Sequence, residues 1–151
     1  MSDAYHNQRV GGQGGTDWGS QLYDNDQKVH SIDAWWGPAS DAPQYTVLRG
    51  LRLSWNDGQE RQVGHQDDYL PHRGYTFDDD ENIQSMTLHG AIGDPYGRAD
   101  ALEFHTTKNR DFFAGGDGGG PLIQEVGTGV LYGFDGAADA DIDSLGAIVQ
   151  D

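Results

Sequence analysis

Three aspartates at alternate positions near the C-terminus, Asp139, Asp141 and Asp143, form a pattern that suits metal chemistry. Alternating carboxylate oxygens are typical ligands of Ca²⁺. The segment begins like an EF-hand loop, but Ser144 stands where the sharp turn requires glycine, and Gln150 stands where the bidentate glutamate belongs. A calcium site of another kind therefore stays one hypothesis, and a solvated acidic loop is the other.

The remaining residues give no specific catalytic pattern. The six histidines do not show the spacing of zinc enzymes, and the chain has no cysteine and no Gly-x-Ser-x-Gly elbow. A dinucleotide-binding Gly-x-Gly-x-x-Gly turn between a strand and a helix is also missing. The 25 acidic residues always offer carboxylate pairs, so a glycoside hydrolase is an alternative without a specific signal. We predict a protein that is not an enzyme and that needs no cofactor.

The charge of the chain excludes several partners. With 9 Lys and Arg against 25 Asp and Glu, the formal net charge is −16, which disfavours nucleic acid and anionic membrane surfaces. No run of about 18 apolar residues occurs, and MSDAYHNQRV lacks the apolar centre of a signal peptide. The localisation stays open between cytoplasmic and non-classically secreted. The length of 151 residues fits a single domain over residues 1–151, with its core at about 9–149.

Apolar residues alternate along the chain and do not recur at helical spacing. Val47, Leu51, Leu53 and Trp55 are one example, and the segment 56–58 that follows has the Asp-Gly sequence of a tight hairpin turn. The pattern predicts an all-β domain of many short strands. The predicted strands cover residues 29–36, 47–55, 60–64, 75–77, 83–88, 101–106, 111–114, 129–134 and 144–149. The acidic run 78–81 is interpreted as a turn without chemistry.

Glycine is concentrated in four clusters, at residues 11–15, 90–97, 115–120 and 133–136. In a β protein such clusters mark tight turns, bulges and places where another group approaches the backbone. Taken alone, each cluster is most simply a turn.

Five blocks of sequence, in order, resemble the jacalin-related lectin family. The blocks are Val10-Gly11-Gly12-Gln13-Gly14-Gly15-Thr16-Asp17-Trp18, Leu51-Arg52-Leu53-Ser54-Trp55-Asn56-Asp57-Gly58, Ile83-Gln84-Ser85-Met86-Thr87-Leu88-His89-Gly90, Ala101-Leu102-Glu103-Phe104-His105-Thr106-Thr107-Lys108-Asn109, and Gly133-Phe134-Asp135-Gly136 with Asp143-Ser144-Leu145-Gly146. The Gly-Gly-Gln-Gly-Gly opening is similar to that of the lectin modules attached to aerolysin-like pore-forming proteins. The resemblance implies a β-prism of three four-stranded antiparallel sheets with pseudo-threefold symmetry. It also implies carbohydrate binding without metal, with mannose/glucose-type or high-mannose glycans as partners.

The resemblance also assigns roles to individual residues. The family's Gly-x-x-x-Asp sugar motif falls on Asp139, Ala140, Asp141, Ile142 and Asp143, so the Asp143 carboxylate is expected to accept hydrogen bonds from sugar hydroxyls. The backbone N–H groups of Ala140 and Asp141 are expected to donate to sugar oxygens.

The walls of the implied site come from two glycine-rich segments. Gly14 and Gly15 would present backbone amides, and a Cβ at Gly15 would crowd the sugar. The loop that runs from Gly90 to Arg98 would form the neighbouring wall, where Tyr96 would lie along a second sugar.

Two features leave questions to the structure. Asp139 replaces the leading glycine of the motif, which would cause strain if that position had a positive φ. Trp35 and Trp36 should point to opposite faces of a strand, and the outer one would either pack at the end of the barrel or, if exposed, mark a homodimer contact. Calcium-dependent binding of a glycan or another ligand through Asp139, Asp141 and Asp143 remains the alternative hypothesis to a metal-independent lectin site.

Overall fold

The alternating segments become long antiparallel strands in the computed structural model, which describes residues 3–151. The strands in that part of the chain are β1 Ala4–His6, β2 Val10–Gly11, β3 Thr16–Asp17, β4 Val29–Ala39, β5 Ala42–Trp55, β6 Glu60–Gly64, β7 His72–Thr76, β8 Ile83–Gly90, β9 Ala99–Thr106, β10 Asp111–Gly115, β11 Gly120–Gln124, β12 Leu131–Ala138 and β13 Ile142–Gln150. The all-β prediction is confirmed. The strand predicted at residues 129–134 lies further along the chain because Gly127 and Gly129, both with positive φ, form the turn before it. Strand β11 and the three short strands β1, β2 and β3 were not predicted.

Three antiparallel sheets share one plan, as the resemblance implied. Each sheet has a central hairpin with a shorter strand on either side: β12 and β13 in the terminal sheet, β4 and β5 in the second sheet, and β8 and β9 in the third sheet. The outer strands are β3 with β1 and β2, then β7 with β6, and then β11 with β10. Strands β1 and β2 pair with successive parts of β13 and so act as one interrupted strand.

The core lies between the inner faces of the three sheets. Leu51 and Leu53 from the second sheet, Leu102 from the third and Phe134 from the terminal sheet are all fully buried there. Burying each such side chain stabilises the fold by about 2 kcal/mol. The three sheets therefore enclose a common apolar interior, and the hairpin loops gather at the ends of the sheets.

Each central hairpin carries a β-bulge at one residue of its return strand. The register skips Arg49 in β5, Asp100 in β9 and Asp143 in β13, because their neighbours pair across the hairpin while they do not. A bulge re-aims the side chain of the extra residue and interrupts the ladder. At these three equivalent positions the side chain is released from the regular alternation of the ladder.

The paired tryptophans lie on opposite faces, as predicted, but neither is exposed enough to mark a dimer contact. Trp36 packs against the core, while Trp35 stacks on His72 with the guanidinium of Arg52 at 5.0 Å from its ring centroid. Trp35 is only 5% exposed. The homodimer reading of this pair therefore loses its basis.

Residues 78–81 form the predicted turn, closed by a hydrogen bond from Glu81 N to Asp78 O. The Glu81 side chain, however, is fully buried, which the interpretation of the run as an acidic turn did not foresee. Its Oε2 accepts hydrogen bonds from the hydroxyls of Tyr75 and Thr106, and its Oε1 accepts one from the Asp78 backbone N–H. Burial opposes ionisation, but these donors together with Arg110 hold the pKa of Glu81 below its usual value.

Replacing Glu81 by Gln should destabilise the fold by about 2–3 kcal/mol, because the amide NH₂ that replaces one carboxylate oxygen can no longer accept the hydrogen bonds donated to it and the negative charge facing Arg110 is lost. A lowered folded-state pKa contributes stability above the unfolded pKa that is lost as the pH falls through the folded value. The difference in unfolding free energy between wild type and Glu81→Gln should therefore shrink on acidification. Urea unfolding at several pH values measures it. The exposed neighbour Asp79→Asn is the control, and an equally small effect of both substitutions would contradict the buried network.

Candidate functional site

A cavity of about 290 Å³ lies at the end of the sheets where the β12–β13 loop, the glycine loop and the β8–β9 loop meet. Its volume is near the lower limit for small-molecule sites, which suits a ligand the size of a monosaccharide. Seven of the nine predicted residues line it, together with three more. The lining residues are Gly14, Gly15, Ser40, Pro95, Tyr96, Arg98, Asp139, Ala140, Asp141 and Asp143.

Gly90 and Ile142 are not among the lining residues. Ile142 is fully buried in the core, as expected for the inward residue of an alternating strand. Gly90 is buried at the end of β8, where a Cβ would meet the Val10 side chain at 3.1 Å. Both residues are thus buried in the protein and do not face the cavity.

Asp143 is the bulge residue of β13, and the bulge turns its carboxylate toward the glycine loop. The side chain is 6% exposed, and its Oδ1 lies 3.1 Å from Arg98 Nε. Burial raises the pKa of the Asp143 carboxyl, Arg98 opposes this shift, and Asp141 and Asp139 add to it. The Arg98 guanidinium therefore holds the Asp143 carboxylate in one orientation.

The glycine loop closes over Asp143 at two positions. Gly15 has φ +77°, and a Cβ there would lie 2.2 Å from Asp143 Oδ2, so only glycine fits. A Cβ at Gly14 would lie 3.3 Å from Asp143 Oδ1. Within residues 3–151, the backbone N–H groups of Gly14, Gly15 and Ala140 donate to no protein acceptor. These amides are free to donate to a ligand beside the carboxylate.

Asp141 has a larger structural role than its predicted backbone contact. Its carboxylate is 1% exposed, with Oδ1 at 3.0 Å from Arg49 Nε and Oδ2 at 3.2 Å from Arg98 Nε. It also accepts hydrogen bonds from the backbone N–H and the hydroxyl of Ser40. Arg49 and Ser40 belong to the β4–β5 hairpin and Arg98 to the β8–β9 loop, so one carboxylate joins the hairpin ends of all three sheets.

Asp139 replaces the motif's glycine without strain. Among the described residues, Asn109 is the only residue other than glycine with a positive φ, so Asp139 needs no left-handed backbone. Its side chain accepts a hydrogen bond from the Thr16 hydroxyl at 3.0 Å, which ties the β12–β13 loop to β3. The departure from the motif therefore adds charge at the rim and leaves the loop conformation intact.

The β8–β9 loop forms the wall that was predicted for residues 90–98. It is fixed to the glycine loop by hydrogen bonds from Gln13 N to Pro95 O and from Gly11 N to Ala91 O. Tyr96 is 86% exposed at the rim of the cavity. An aromatic ring in this position offers an apolar face and a hydroxyl to a ligand that extends out of the cavity.

The sequence reasoning assigned no role to Arg98, Ser40 or Arg49. Arg98 lay within the predicted wall, but nothing in its local sequence shows that it will reach Asp141 and Asp143 some forty residues later. No local sequence pattern marks Arg49. Its position at a bulge becomes visible only from the register of β4 against β5, which skips this residue.

The three alternating aspartates are not arranged as metal ligands. No group of three or more His, Cys, Asp or Glu side chains in residues 3–151 could hold a metal ion. Asp141 is occupied by two arginines, whose charge also repels a cation. The described part of the chain likewise contains no helix that is long and apolar enough to cross a membrane.

A larger depression of about 410 Å³ lies against the third sheet, remote in sequence from these loops. Phe113 and His105 contribute to it, and His105 Nδ1 is hydrogen-bonded to the Asp111 carboxylate there. None of the predicted site residues lines this depression. The chemistry predicted from the sequence therefore gathers in the smaller cavity.

The chain belongs to the jacalin-like lectin domain family, which it matches over residues 7–148. The family consists of non-catalytic carbohydrate-binding domains, so the glycoside hydrolase alternative is not supported. No curated protein matches the sequence.

Solved structures agree with this assignment. The lamprey immune protein is 25% identical with a TM-score of 0.81, and the match covers 100% of this chain and 45% of that one. The chain thus spans less than half the length of the lamprey protein. Malaysian banana lectin is 21% identical over 99% of both chains with a TM-score of 0.75. A mannose-specific jacalin-related lectin from Morus nigra, in complex with mannose, is 18% identical over 99% of this chain and 96% of its own, with a TM-score of 0.74.

Replacing Asp141 by Asn should destabilise the protein by about 3 kcal/mol, because two partly buried arginines lose their shared counter-charge. Urea unfolding measures the loss. The matched control is Asp139→Asn, two residues away in the same loop but exposed, which should change the unfolding free energy by about 0.5 kcal/mol or less. Equal effects of the two substitutions would show that the three hairpins are held together in another way.

Proposed function

We propose that this cavity binds an uncharged hexose of the mannose or glucose type, as the terminal residue of a glycan, without a metal ion. The observation that carries the proposal is the Asp143 carboxylate, set by a bulge beneath Gly14 and Gly15 and beside unpaired backbone N–H groups. The fixed acceptor and the free donors match the alternating hydroxyl groups of a pyranose. Hydrogen bonds to a charged acceptor stabilise such a contact by about 1.5–3 kcal/mol each.

The local charges favour a neutral ligand. Asp41, Asp139, Asp141 and Asp143 surround the cavity, and they are opposed by Arg49 and Arg98. Both arginines are engaged by these carboxylates or by backbone carbonyls. A sialylated or sulfated sugar would meet a net negative field and no free cation, whereas an uncharged hexose would not be repelled.

The mannose assignment is supported by the relatives that share the fold. The Morus nigra lectin is described as mannose-specific and was solved with mannose. At 18% identity the similarity supports a common fold but does not establish a common sugar specificity. The choice of hexose therefore rests on the proposed contacts. One monosaccharide bound by a few groups should have an affinity on the order of millimolar.

Asp143→Asn should weaken binding of methyl α-mannoside about 30-fold, because about 2 kcal/mol of charge-assisted hydrogen bonding is lost. Because burial raises the pKa of Asp143, wild-type affinity should also fall on acidification earlier than for an exposed aspartate. Titration followed by NMR at Gly14 and Gly15 measures both effects. Asp79→Asn, an exposed substitution outside the cavity, is the control. Undiminished affinity of a folded Asp143→Asn protein would place the sugar elsewhere.

Binding should be unchanged by a chelator, because the carboxylates of Asp141 and Asp143 are already paired with Arg49 and Arg98. A glycan array run with and without chelator, and again with added Ca²⁺, provides the measurement. Signals that vanish in chelator and return only with Ca²⁺ would make Asp139, Asp141 and Asp143 metal ligands and overturn the proposed contacts.

A further inference from the structure

The environment of Asp143 is repeated in the third sheet. Asp100 is the bulge residue of β9, as Asp143 is of β13. In each sheet the outer strand ends on a glycine with positive φ, Gly115 at +123° and Gly11 at +105°. The residue after that glycine donates its N–H to the carbonyl of the bulge residue, at 3.0 Å to Asp100 and 2.8 Å to Asp143.

The glycine loop is repeated as well. Residues 116–119 connect β10 to β11 and cross the β8–β9 hairpin, as residues 12–15 cross the β12–β13 hairpin. Gly119 has φ +75°, against +77° for Gly15. A Cβ at Gly119 would lie 2.6 Å from Asp100 Oδ2, and a Cβ at Gly118 would lie 3.3 Å from the same oxygen. The corresponding distances of Gly15 and Gly14 to the Asp143 carboxylate are 2.2 and 3.3 Å.

The second sheet has the equivalent bulge, but neither the carboxylate nor the glycine loop is present there. In the second sheet the bulge residue is Arg49, and its carbonyl accepts the same hydrogen bond, from His65 N at 2.9 Å. Arg49 turns its guanidinium to Asp141 and Ala140, and the crossing loop 65–71 contains no glycine. A cationic side chain that is already engaged offers a sugar no acceptor. The comparison shows that the fold alone does not create the arrangement at Asp100.

Asp100 is also unoccupied by partners. Among the described residues its carboxylate has no hydrogen bond or ion pair, and the backbone N–H groups of Gly118 and Gly119 have no protein acceptor. Burial raises the pKa of Asp100 to about 6, so the group is a carboxylate at neutral pH although its surroundings disfavour the charge. A half-buried acceptor without a donor gains more from a ligand hydroxyl than one already satisfied by the protein.

We propose that Asp100, with the amides of Gly118 and Gly119, forms a second binding site for an uncharged hexose. Ile92, exposed beside Gly120, supplies an apolar face for the sugar ring. This inference rests on the proposed function, because it transfers the contacts proposed for Asp143 to its structural equivalent. One chain would then bind two sugars and would gain avidity on branched or clustered glycans.

Amide NMR of the intact chain, titrated with methyl α-mannoside at neutral pH, separates the two sites. We expect chemical shift changes at Gly14 and Gly15 and a second set at Gly118 and Gly119. Asp100→Asn should weaken only the second set, by about tenfold or more, and Asp143→Asn only the first. Asp100→Asn removes a half-buried charge, so the variant is expected to fold, and Gly119→Ala provides a second variant that blocks the same site by its Cβ.

The outcomes distinguish the two proposals. Changes confined to Gly14 and Gly15 would overturn the second site and leave the proposed function intact. Changes confined to Gly118 and Gly119 would support the Asp100 site and overturn the assignment of Asp143. A second set of changes that persists unaltered in both Asp100→Asn and Gly119→Ala would also overturn the second site. Absence of both sets at saturating mannoside would overturn both proposals.

Discussion

One extra residue in the return strand of a hairpin shapes the proposed sugar site. Inside a regular ladder, the side chain of Asp143 would point either into the apolar core or out to solvent. Because Asp143 is the extra residue of the bulge, its side chain takes neither direction, and its carboxylate points toward the glycine loop. The lack of a side chain at Gly15 then allows backbone amides to approach the same space. Acceptor and donors converge because of backbone geometry rather than through a set of dedicated side chains.

A carboxylate held in this position has an electrostatic cost, which a neighbouring sheet offsets. Arg98 reaches from the β8–β9 loop to both Asp141 and Asp143, and Arg49 reaches Asp141 from the β4–β5 hairpin. The same ion pairs that balance the buried charges also hold the three hairpin ends together. The proposed binding site and the end of the prism therefore share one network of ion pairs, and the arginines of that network are not free to attract an anionic ligand.

Much of the fold follows from local patterns, and the site follows from them only in part. Alternation identifies strands such as β5 and β9, since a half-buried strand has a period of two, and the Asp-Gly turn at residues 57–58 closes its hairpin as predicted. Strand β11 was not predicted because its sequence, Gly120-Pro121-Leu122-Ile123-Gln124, contains a proline and does not alternate between apolar and polar residues. The carboxylate and glycines of the site carry recognisable local sequence, whereas Arg98 acts at a distance of more than forty residues along the chain. Long-range ion pairs leave no pattern in the local sequence. The burial of Glu81 was not predicted either, because it depends on hydroxyl groups of two other strands, Tyr75 in β7 and Thr106 in β9.

The structure of the chain with methyl α-mannoside bound in the crystal tests the central claim most directly. The account predicts a pyranose in the cavity with hydroxyl groups within hydrogen-bond distance of the Asp143 carboxylate and of the Gly15 backbone N–H, and no metal ion between sugar and protein. A sugar bound through the other face of the molecule, or through a cation on Asp139 and Asp141, would contradict it.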